Sequence, residues 1–311
     1  TVSDLLAQRA GVSTSVNVDG GAIFNMLGLD SRYILILKNG QPITGRFNNR
    51  VDLNQVSISG IKKIEITKGP GSAVYGTDAM GGVINIITQE PSESLEMDLT
   101  YRASSFGSTP KEISNEPINS ILKSRISMPI KNLKLSSDLT YQSFSRGQQF
   151  EYISADQIDK VNLNTDINCE VINHQLRISH QYFNQEDAGA TRLSSGITLF
   201  TNTTNINRSQ LTLNHSWQIK YNTSILQTLR ESGYTRSYKV KNASKVLETN
   251  DITEENNTEY ELLFKHDRGN IKVNGGFELS NPRYKSDRIA GGRQKKDVIG
   301  VFNQVALKLF D

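Results

Sequence analysis

Residues 64–88 decide the fold and read IEITKGPGSAVYGTDAMGGVINIIT. Short runs rich in β-branched residues stand at both ends, at 64–67 and 83–88, and five glycines and one proline lie between or beside them. Isoleucine, valine and threonine favour extended strands, whereas glycine and proline mark tight connections. The stretch therefore predicts a strand, a glycine-rich connection and a second strand.

Residues 1–90 are predicted to form one compact α+β domain that ends with this strand pair. A short helix is expected over residues 4–9, and the apolar run at 33–37 is short enough for a buried strand. Asn39 and Gly40 follow that run and form the strongest short signal for a tight hairpin turn. The polar segment 46–50 reads as either a solvated surface loop or a ligand-contacting loop.

Residues 91–311 have a different character, because apolar and polar side chains alternate in successive runs of about ten residues. The clearest run sets Leu211, Leu213, Trp217 and Ile219 against Gln210, Thr212, Asn214, Ser216 and Gln218. About ten such strands fit into this part of the chain. The pattern predicts strands with one apolar and one polar face.

The connections between these strands alternate in length. Short turns are expected at 129–132, 170–173 and 267–270, and longer polar loops at 185–205 and 239–256. Short turns on one side and long loops on the other are typical of a transmembrane β-barrel. A soluble β-sandwich also has alternating strands and is the alternative interpretation.

The composition excludes several classes of protein. With 35 basic and 32 acidic residues the net charge is +3, so nucleic acid is not an expected partner. The single cysteine, Cys169, excludes a disulfide framework and a thiolate metal cluster. A mean hydropathy of −0.45 argues against membrane helices but not against barrel strands, which hide their apolar band in every second residue.

The stretch quoted above resembles the plug-domain signature of TonB-dependent outer-membrane receptors. The signature positions in this sequence are Lys68, Gly69, Pro70, Ser72, Tyr75, Gly76, Asp78, Gly81, Gly82 and Asn85. Earlier landmarks of that plug are matched in order by Leu5, Leu6, Gly11, Val12, the run at 33–37 and the segment 39–42. Lys68 stands where the family often has arginine, which keeps the charge but loses the bidentate fork.

The resemblance implies a 22-stranded barrel in the bacterial outer membrane with the plug folded inside its lumen. It implies a receptor that takes up a scarce ligand such as an iron-siderophore, haem or cobalamin when TonB pulls on the plug. TonB would engage a segment upstream of Thr1 that is absent here, and the chain is expected to be the plug plus the N-terminal part of the barrel. No cofactor and no metal site are expected.

Residue roles follow from the same resemblance. The ligand is expected to contact the apical plug segment formed by Arg46, Phe47, Asn48, Asn49 and Arg50, since arginines suit anionic chelates and an aromatic ring stacks on a flat ligand. The signature glycines are expected to let the plug backbone pass close to the barrel wall. Outer-membrane lipid would surround the apolar strand faces.

Two other functions compete with transport. The first is a structural or adhesive outer-membrane barrel, which an upstream TonB-binding peptide would distinguish from a transporter. The second is an enzyme, for which the sequence lacks the His-Glu-x-x-His and Gly-x-Ser-x-Gly patterns. His174 and His180 share a strand face, but such a pair is far more often structural than metal-binding. The protein is therefore not expected to be an enzyme.

Overall fold

The computed structural model describes residues 2–9, 11–16, 22–45, 51–69, 79–105, 118–145, 157–193 and 195–307. These residues form two small sheets and one sheet of 12 strands. None of the helices in this part of the chain has both the length and the apolar character needed to cross a membrane. The fold is an N-terminal α+β plug followed by part of a transmembrane β-barrel. All described strand pairs of the barrel part are antiparallel.

The described residues of the plug form one α-helix, two 3-10 helices and seven strands. The helix α1 is Val2–Leu6, and the 3-10 helices are Ser31–Tyr33 and Leu53–Gln55. The strands are β1 (Val12–Val16), β2 (Ala22–Met26), β3 (Leu29–Asp30), β4 (Ile34–Lys38), β5 (Gln41–Pro42), β6 (Ile61–Lys68) and β7 (Gly82–Thr88). The helix predicted over residues 4–9 thus begins and ends earlier in the chain than expected.

The strand pair predicted from the quoted stretch is confirmed. β6 and β7 pair in antiparallel fashion with Ile66 opposite Ile84. β7 also pairs in parallel with β4, where Leu35 lies opposite Val83, so it is an inner strand of the order β5-β4-β7-β6. The Asn39-Gly40 turn is confirmed as well, with φ of 51° and 79° at these two residues.

The plug has its own apolar core, which explains why it forms a unit. The buried side chains of this core come from the helix, both small sheets and the segment before β6, and are Val2, Leu6, Phe24, Met26, Ile34, Ile36, Ile43, Val51, Leu53, Val56, Ile84 and Ile86. Burial of side chains of this size contributes about 1.5–3 kcal/mol each before entropy is counted. The plug therefore does not need apolar contacts with the barrel wall.

Two signature glycines serve this internal packing, which corrects the expectation that they pass close to the barrel wall. A Cβ on Gly82 would lie 2.5 Å from the backbone oxygen of Thr67 and 2.3 Å from Cε of Met26. A Cβ on Gly81 would lie 3.1 Å from the backbone oxygen of Tyr33. All of these neighbours belong to the plug, so side chains are excluded here by the plug itself.

Within the described ranges from residue 91 onward, the barrel part has ten strands of ten or more residues and two short ones. The strands are β8 (Glu96–Ser105), β9 (Ile118–Ile130), β10 (Leu133–Ser145), β11 (Gln157–Val171), β12 (His174–Arg192), β13 (Thr198–Lys220), β14 (Thr223–Asn242), β15 (Leu247–Arg268), β16 (Ile271–Ser280), β17 (Arg283–Ser286), β18 (Arg293–Lys295) and β19 (Val298–Leu307). From β8 to β15 each strand pairs with the next in the chain. Beyond β15, β16 pairs with one part of that strand and with β19, and β17 pairs with another part.

The prediction of long polar loops at 185–205 and 239–256 is wrong. Most of these residues continue the strands, so that β12 and β13 pair as far as Arg192 and Thr198, and β14 and β15 pair as far as Lys241 and Leu247. The longest strand has 23 residues, whereas about 9–11 suffice to cross the hydrocarbon layer. The sequence is polar here because these hairpins extend past the length that lipid requires.

The alternation of faces is confirmed. Along β13, Gln210 and Thr212 are 5% and 3% exposed, while Leu211 and Leu213 are 47% and 36% exposed. Polar side chains therefore cover the inner wall, and apolar side chains point outward. A soluble sandwich would have the opposite arrangement, with its apolar faces packed together.

The outward face can be tested at Leu213. Lysine in place of Leu213 is expected to destabilise the protein by about 2–4 kcal/mol, because it places a charge on the outward apolar face of a transmembrane strand. Urea unfolding of the protein in detergent micelles measures this difference. Asn214→Lys is the matched control, since Asn214 lies at the same depth but lines an inner cavity. Equal stability of the two variants would contradict the assigned faces.

Candidate functional site

The plug contacts the inner wall through polar side chains at several levels, and the first is a buried ion pair. Arg125 of β9 and Asp138 of β10 lie opposite each other in the sheet, with Nη1 and Oδ2 2.6 Å apart. Ser59 of the plug donates from Oγ to Oδ1 of Asp138 at 3.2 Å. A Cβ on Gly60 would lie 2.6 Å from Oδ2 of Asp138. Glycine at this position therefore allows the plug backbone to contact the ion pair directly.

A second ion cluster holds the chain where it leaves the plug. Arg177 of β12 donates to Oδ1 of Asp166 at 3.0 and 3.1 Å and to Oε1 of Glu90 at 2.9 Å. It also approaches Oγ1 of Thr88, the last residue of β7, at 3.4 Å. Asn168 donates from Nδ2 to the other oxygen of Glu90 at 3.0 Å. The end of β7 is thus fastened to β11 and β12 by charge-assisted hydrogen bonds.

Lys38 at the end of β4 reaches into the same wall. Its Nζ donates to Oδ1 of Asn164 at 2.6 Å. Loss of hydration lowers the pKa of Lys38 to about 8, although the nearby carboxylates of Asp166 and Asp138 raise it. Since the pKa of an unfolded lysine is about 10.5, the cost of burying this charge decreases as the pH rises from 8 towards that value.

Arg230 of β14 supports the short hairpin that follows β4. Nη1 of Arg230 donates to Oε1 of Gln41 at 3.1 Å and to the backbone oxygen of Pro42 at 3.2 Å. On its other side Arg230 forms an ion pair with Glu259 of β15. A cavity of about 600 Å³ lies below this hairpin and is lined mainly by amide, hydroxyl and charged side chains.

Two side chains from a row of three on the wall contact the plug, Tyr234 at Gly45 and Arg208 at Gln55. Phe183, Arg208 and Tyr234 lie opposite one another on β12, β13 and β14, and we call them the clamp row. Tyr234 is 2% exposed and packs in one apolar cluster with Phe183 and Ile206. The guanidinium carbon of Arg208 lies 5.2 Å from the ring centroid of Phe183, within the range of a cation–π contact.

The predicted ligand-binding residues Arg46, Phe47, Asn48, Asn49 and Arg50 lie outside the described residues. The residues on either side are described, and Thr44, Gly45 and Val51 are buried. The role of the five residues remains a prediction.

The signature positions divide in the same way, since Pro70, Ser72, Tyr75, Gly76 and Asp78 also lie outside the described residues. The described signature positions are Lys68, Gly69, Gly81, Gly82 and Asn85. Gly69 has a φ of 98°, a conformation that side chains disfavour.

Asn85 supports the Asn39-Gly40 turn and thereby links the signature to β4. Its Oδ1 accepts from the backbone N–H of Gly40 at 3.0 Å, and its Nδ2 donates to Glu65 at 3.3 Å. Lys63 forms an ion pair with the same carboxylate, and its hydrogen bond lowers the pKa of Glu65. Asn85 therefore has a structural role inside the plug.

Sequence reasoning missed the wall residues that hold the plug, namely Arg125, Arg177, Arg208 and Arg230. A partial signal was present, because Arg177 occupies the polar face of a predicted strand. Such positions are usually solvated, and only the presence of the plug on the inner side turns them into buried contacts. Their partners are 11 to 189 positions away in the chain, so spacing alone does not reveal them.

The histidines form local contacts on the outer face. Nδ1 of His174 lies 3.0 Å from Nε2 of His215, the two rings are stacked, and His174 also stacks on Trp217. His180, the partner considered in the sequence, instead lies 3.3 Å from Oγ of Ser209. Across the part of the chain that the structure describes, three or more His, Cys, Asp or Glu residues nowhere come together as metal ligands.

The buried pair beneath the plug is expected to matter more than an exposed one. Asp138→Asn leaves Arg125 buried without its counter-charge, so it is expected to lower the free energy of unfolding by about 3–5 kcal/mol. Glu254→Gln breaks the exposed pair with Lys285, and a loss of about 0.2–1 kcal/mol is expected. Urea unfolding of the full-length receptor in micelles gives both values. Similar losses for the two variants would show that the Arg125–Asp138 pair does not support the plug.

Known proteins share this arrangement. The family model described as TonB-dependent Receptor Plug Domain matches residues 1–83. Among solved structures, the siderophore receptor PirA from Acinetobacter baumannii aligns with a TM-score of 0.73 at 16% identity, over 99% of this chain and 52% of that one. A mutant of the ferric enterobactin receptor PfeA from Pseudomonas aeruginosa aligns with a TM-score of 0.74 at 15% identity, over 99% and 53%.

A third similar structure is the siderophore receptor PiuA from Acinetobacter baumannii, with a TM-score of 0.65 at 14% identity, over 92% of this chain and 43% of that one. The chain thus spans about half the length of the receptors it aligns with. At these identities the structural alignments show the fold alone, while the family model identifies the first domain. Residues 1–83 thus match the TonB-dependent receptor plug domain, and the chain shares its fold with about half of each of the aligned receptors.

Proposed function

We propose that this chain is part of a bacterial outer-membrane receptor that takes up a ferric siderophore in a TonB-dependent manner. The plug closes the lumen until ligand binding outside and TonB inside act on it. Lipid covers the outward apolar face of the strands. Haem and cobalamin are other ligands of the same general class of receptor, but the siderophore is favoured because the three similar structures are named as siderophore or enterobactin receptors.

The observation that carries the proposal is the polarity of the interface between plug and wall. The plug core is apolar and self-contained, whereas the contacts with the wall are hydrogen bonds and ion pairs made by residues such as Lys38, Arg177 and Arg230. Each of these charge-assisted hydrogen bonds contributes about 1.5–3 kcal/mol, and water can take the place of the lost partner when the plug moves. Such an interface suits a plug that must move, and this favours transport over a purely structural barrel.

The proposal assigns a separate role to each part of the chain. Residues 1–90 act as the plug, and residues 91–311 act as the N-terminal portion of the transmembrane barrel. The plug signature, from Lys68 to Asn85, keeps β6 and β7 together as the last pair before the chain enters the wall. TonB is the proposed partner on the inner side of the membrane.

Ligand recognition is assigned to the plug segment 46–50. Two arginines at its ends carry the positive charge that an anionic chelate attracts, and Phe47 offers a flat face for stacking. The residues on either side of the segment, Gly45 and Val51, are buried.

A disulfide between plug and wall tests whether the plug must move during uptake. Oγ of Ser57 and Oγ1 of Thr140 lie 2.9 Å apart, so cysteines at both positions are close enough to form a disulfide. In a Cys169→Ser background, cells carrying the full-length Ser57→Cys, Thr140→Cys receptor are expected to take up no radioactive iron from ferric siderophores. Reduction is expected to restore uptake.

The matched control joins two wall strands instead. Asn214 and Thr228 are opposite each other on β13 and β14, with a hydrogen bond of 2.9 Å, and their replacement by cysteine leaves the plug untouched. This control is expected to transport iron in both redox states. Uptake through the oxidised Ser57→Cys, Thr140→Cys receptor at the control's rate, with the disulfide verified by mass spectrometry, would overturn a moving plug.

Removal of the two arginine charges tests the role of the segment 46–50 in ligand binding. Arg46→Ala with Arg50→Ala is expected to weaken binding of a ferric tris-catecholate by at least about tenfold, because charge-assisted contacts contribute about 1.5–3 kcal/mol each. Titration of the purified full-length receptor by tryptophan fluorescence measures the dissociation constant. The control, Arg9→Ala with Arg32→Ala, removes two exposed plug arginines and is expected to bind like the parent. Unchanged binding by both double variants would remove the assignment.

A further inference from the structure

The β17–β18 hairpin carries four basic side chains on one face, a feature that the proposed uptake does not use. Arg283 lies directly opposite Lys295, and Lys285 lies directly opposite Arg293. We call these four residues the basic quartet, and all of them are exposed. Like charges directly opposite each other in a sheet repel and destabilise it. Two such pairs side by side are therefore a cost to the hairpin that an anionic partner would offset.

The acidic side chains beside the basic quartet do not balance its charge. Nζ of Lys285 lies 2.8 Å from Oε1 of Glu254. Nζ of Lys295 lies 3.6 Å from Oδ2 of Asp297. The two arginines form no ion pair with any described residue, and Nε of the first donates to a neutral amide oxygen at 2.9 Å. Two positive charges of the quartet are therefore left without a counter-charge.

The basic quartet faces away from the lumen. Tyr284 stands between two of its members in β17 and lies opposite Glu255, which in turn lies opposite Tyr234 of the inner wall. Ser286, two residues further on, is buried. Tyr284 and Ser286 thus belong to the inner face, and successive side chains of a strand point to opposite faces. The quartet is therefore on the outer face, which a solute inside the lumen does not meet.

The height of the quartet follows from the apolar outer face of the neighbouring strands. Leu279 of β16 and Ile299 of β19 lie opposite each other and are exposed. Arg283 and Lys295 lie four positions further along the chain on either side, about 13 Å away at about 3.3 Å per residue. Barrel strands are tilted by about 35–45°, so this distance is about 10 Å of height. The quartet thus lies at the level of the lipid headgroups, at the end of the strands opposite the short turns.

We propose that the basic quartet binds phosphate groups of the lipid headgroups in the outer leaflet of the outer membrane. Basic clusters next to membrane-spanning segments attract anionic lipid headgroups. Guanidinium groups match phosphate oxygens with two parallel hydrogen bonds, and ammonium groups add point charges. A phosphate between opposed cations replaces their repulsion by charge-assisted hydrogen bonds. The inference rests on the proposed function only for the membrane in which the strands lie.

Arg283→Gln with Arg293→Gln is the test variant, because it removes one cation from each opposed pair and keeps both lysine–carboxylate pairs. The full-length receptor in dodecylmaltoside micelles is titrated with diphosphorylated lipid A, and native mass spectrometry measures the fraction of receptor that carries the lipid. The variant is expected to bind at least about tenfold more weakly than the parent. Lipid A without its phosphates is expected to bind both proteins equally.

Two comparisons identify the source of the binding. Lys220→Gln with Arg268→Gln is the matched control, since it removes two exposed cations near the short turns at the other end of the strands, and it is expected to bind lipid A like the parent. Equal losses in the two double variants would overturn the proposal, because binding would then follow net charge alone. Inorganic phosphate is expected not to displace lipid A, and displacement would show a site for free anions instead.

Thermal unfolding separates lipid binding from a structural role of the arginines. Without lipid A, Arg283→Gln with Arg293→Gln is expected to leave the midpoint of unfolding unchanged or to raise it, because the variant relieves the repulsion within both pairs. With lipid A, the midpoint of the parent is expected to rise more than that of the variant. A lower midpoint of the variant in the absence of lipid A would overturn the proposal, since the arginines would then stabilise the hairpin by themselves.

Iron uptake separates this inference from the proposed function. Cells carrying the full-length Arg283→Gln, Arg293→Gln receptor are expected to take up iron from ferric siderophores at the rate of the parent, because the quartet faces away from the lumen. Loss of uptake together with unchanged binding of lipid A would assign the quartet to ligand entry and overturn the proposal. A parent receptor that takes up no ferric siderophore would contradict the proposed function, whereas the lipid titration would still decide on the basic quartet.

Discussion

Charged groups buried between the plug and the barrel wall must be paired, and the rest of the structure depends on this constraint. Moving an ion out of water costs several kcal/mol unless an opposite charge or several hydrogen bonds replace the lost hydration. Arg125 meets Asp138, Arg177 meets Asp166 and Glu90, and Arg230 meets Glu259. The Arg125–Asp138, Arg177–Asp166 and Arg230–Glu259 pairs join strands of the wall, and the arginine or carboxylate of each pair also forms a hydrogen bond with the plug.

The apolar side chains of the protein lie mainly in two regions. Neither region is the interface between plug and wall. One is the plug core, where side chains from α1, β2, β4 and β7 close on one another. The other is the outward face of the barrel strands, which lipid is proposed to cover. Because neither apolar surface is shared between plug and wall, the plug can change its contacts without exposing its core. This separation connects the amino-acid pattern to the proposed movement.

The clamp row is the exception to this polarity and has a different consequence. Phe183, Ile206 and Tyr234 form a small apolar cluster on an otherwise polar inner wall, opposite the point where the plug backbone carries no side chain. An aromatic ring against a glycine gives a contact defined by shape rather than by charge. Such a contact requires that Gly45 carry no side chain.

The sequence by itself determined the repeating elements. Alternation in runs such as 210–219 predicted strands with a polar inner face, and the stretch 64–88 predicted the pair β6 and β7, because periodicity and turn chemistry are local properties. It also predicted about ten long strands. It did not predict their length, since the polar residues at 185–205 look the same in a loop and in a hairpin that extends past the membrane.

Only the tertiary structure decided which distant residues meet. The parallel pairing of β4 with β7, the packing of Gly81 and Gly82 within the plug, and the contacts of Arg177, Arg208 and Arg230 all join positions that no local pattern relates. An arginine on the polar face of a strand reads as solvated until another domain occupies that side. The physical reason is that burial and hydrogen-bond partners are properties of the assembled fold, whereas periodicity is already present in the chain.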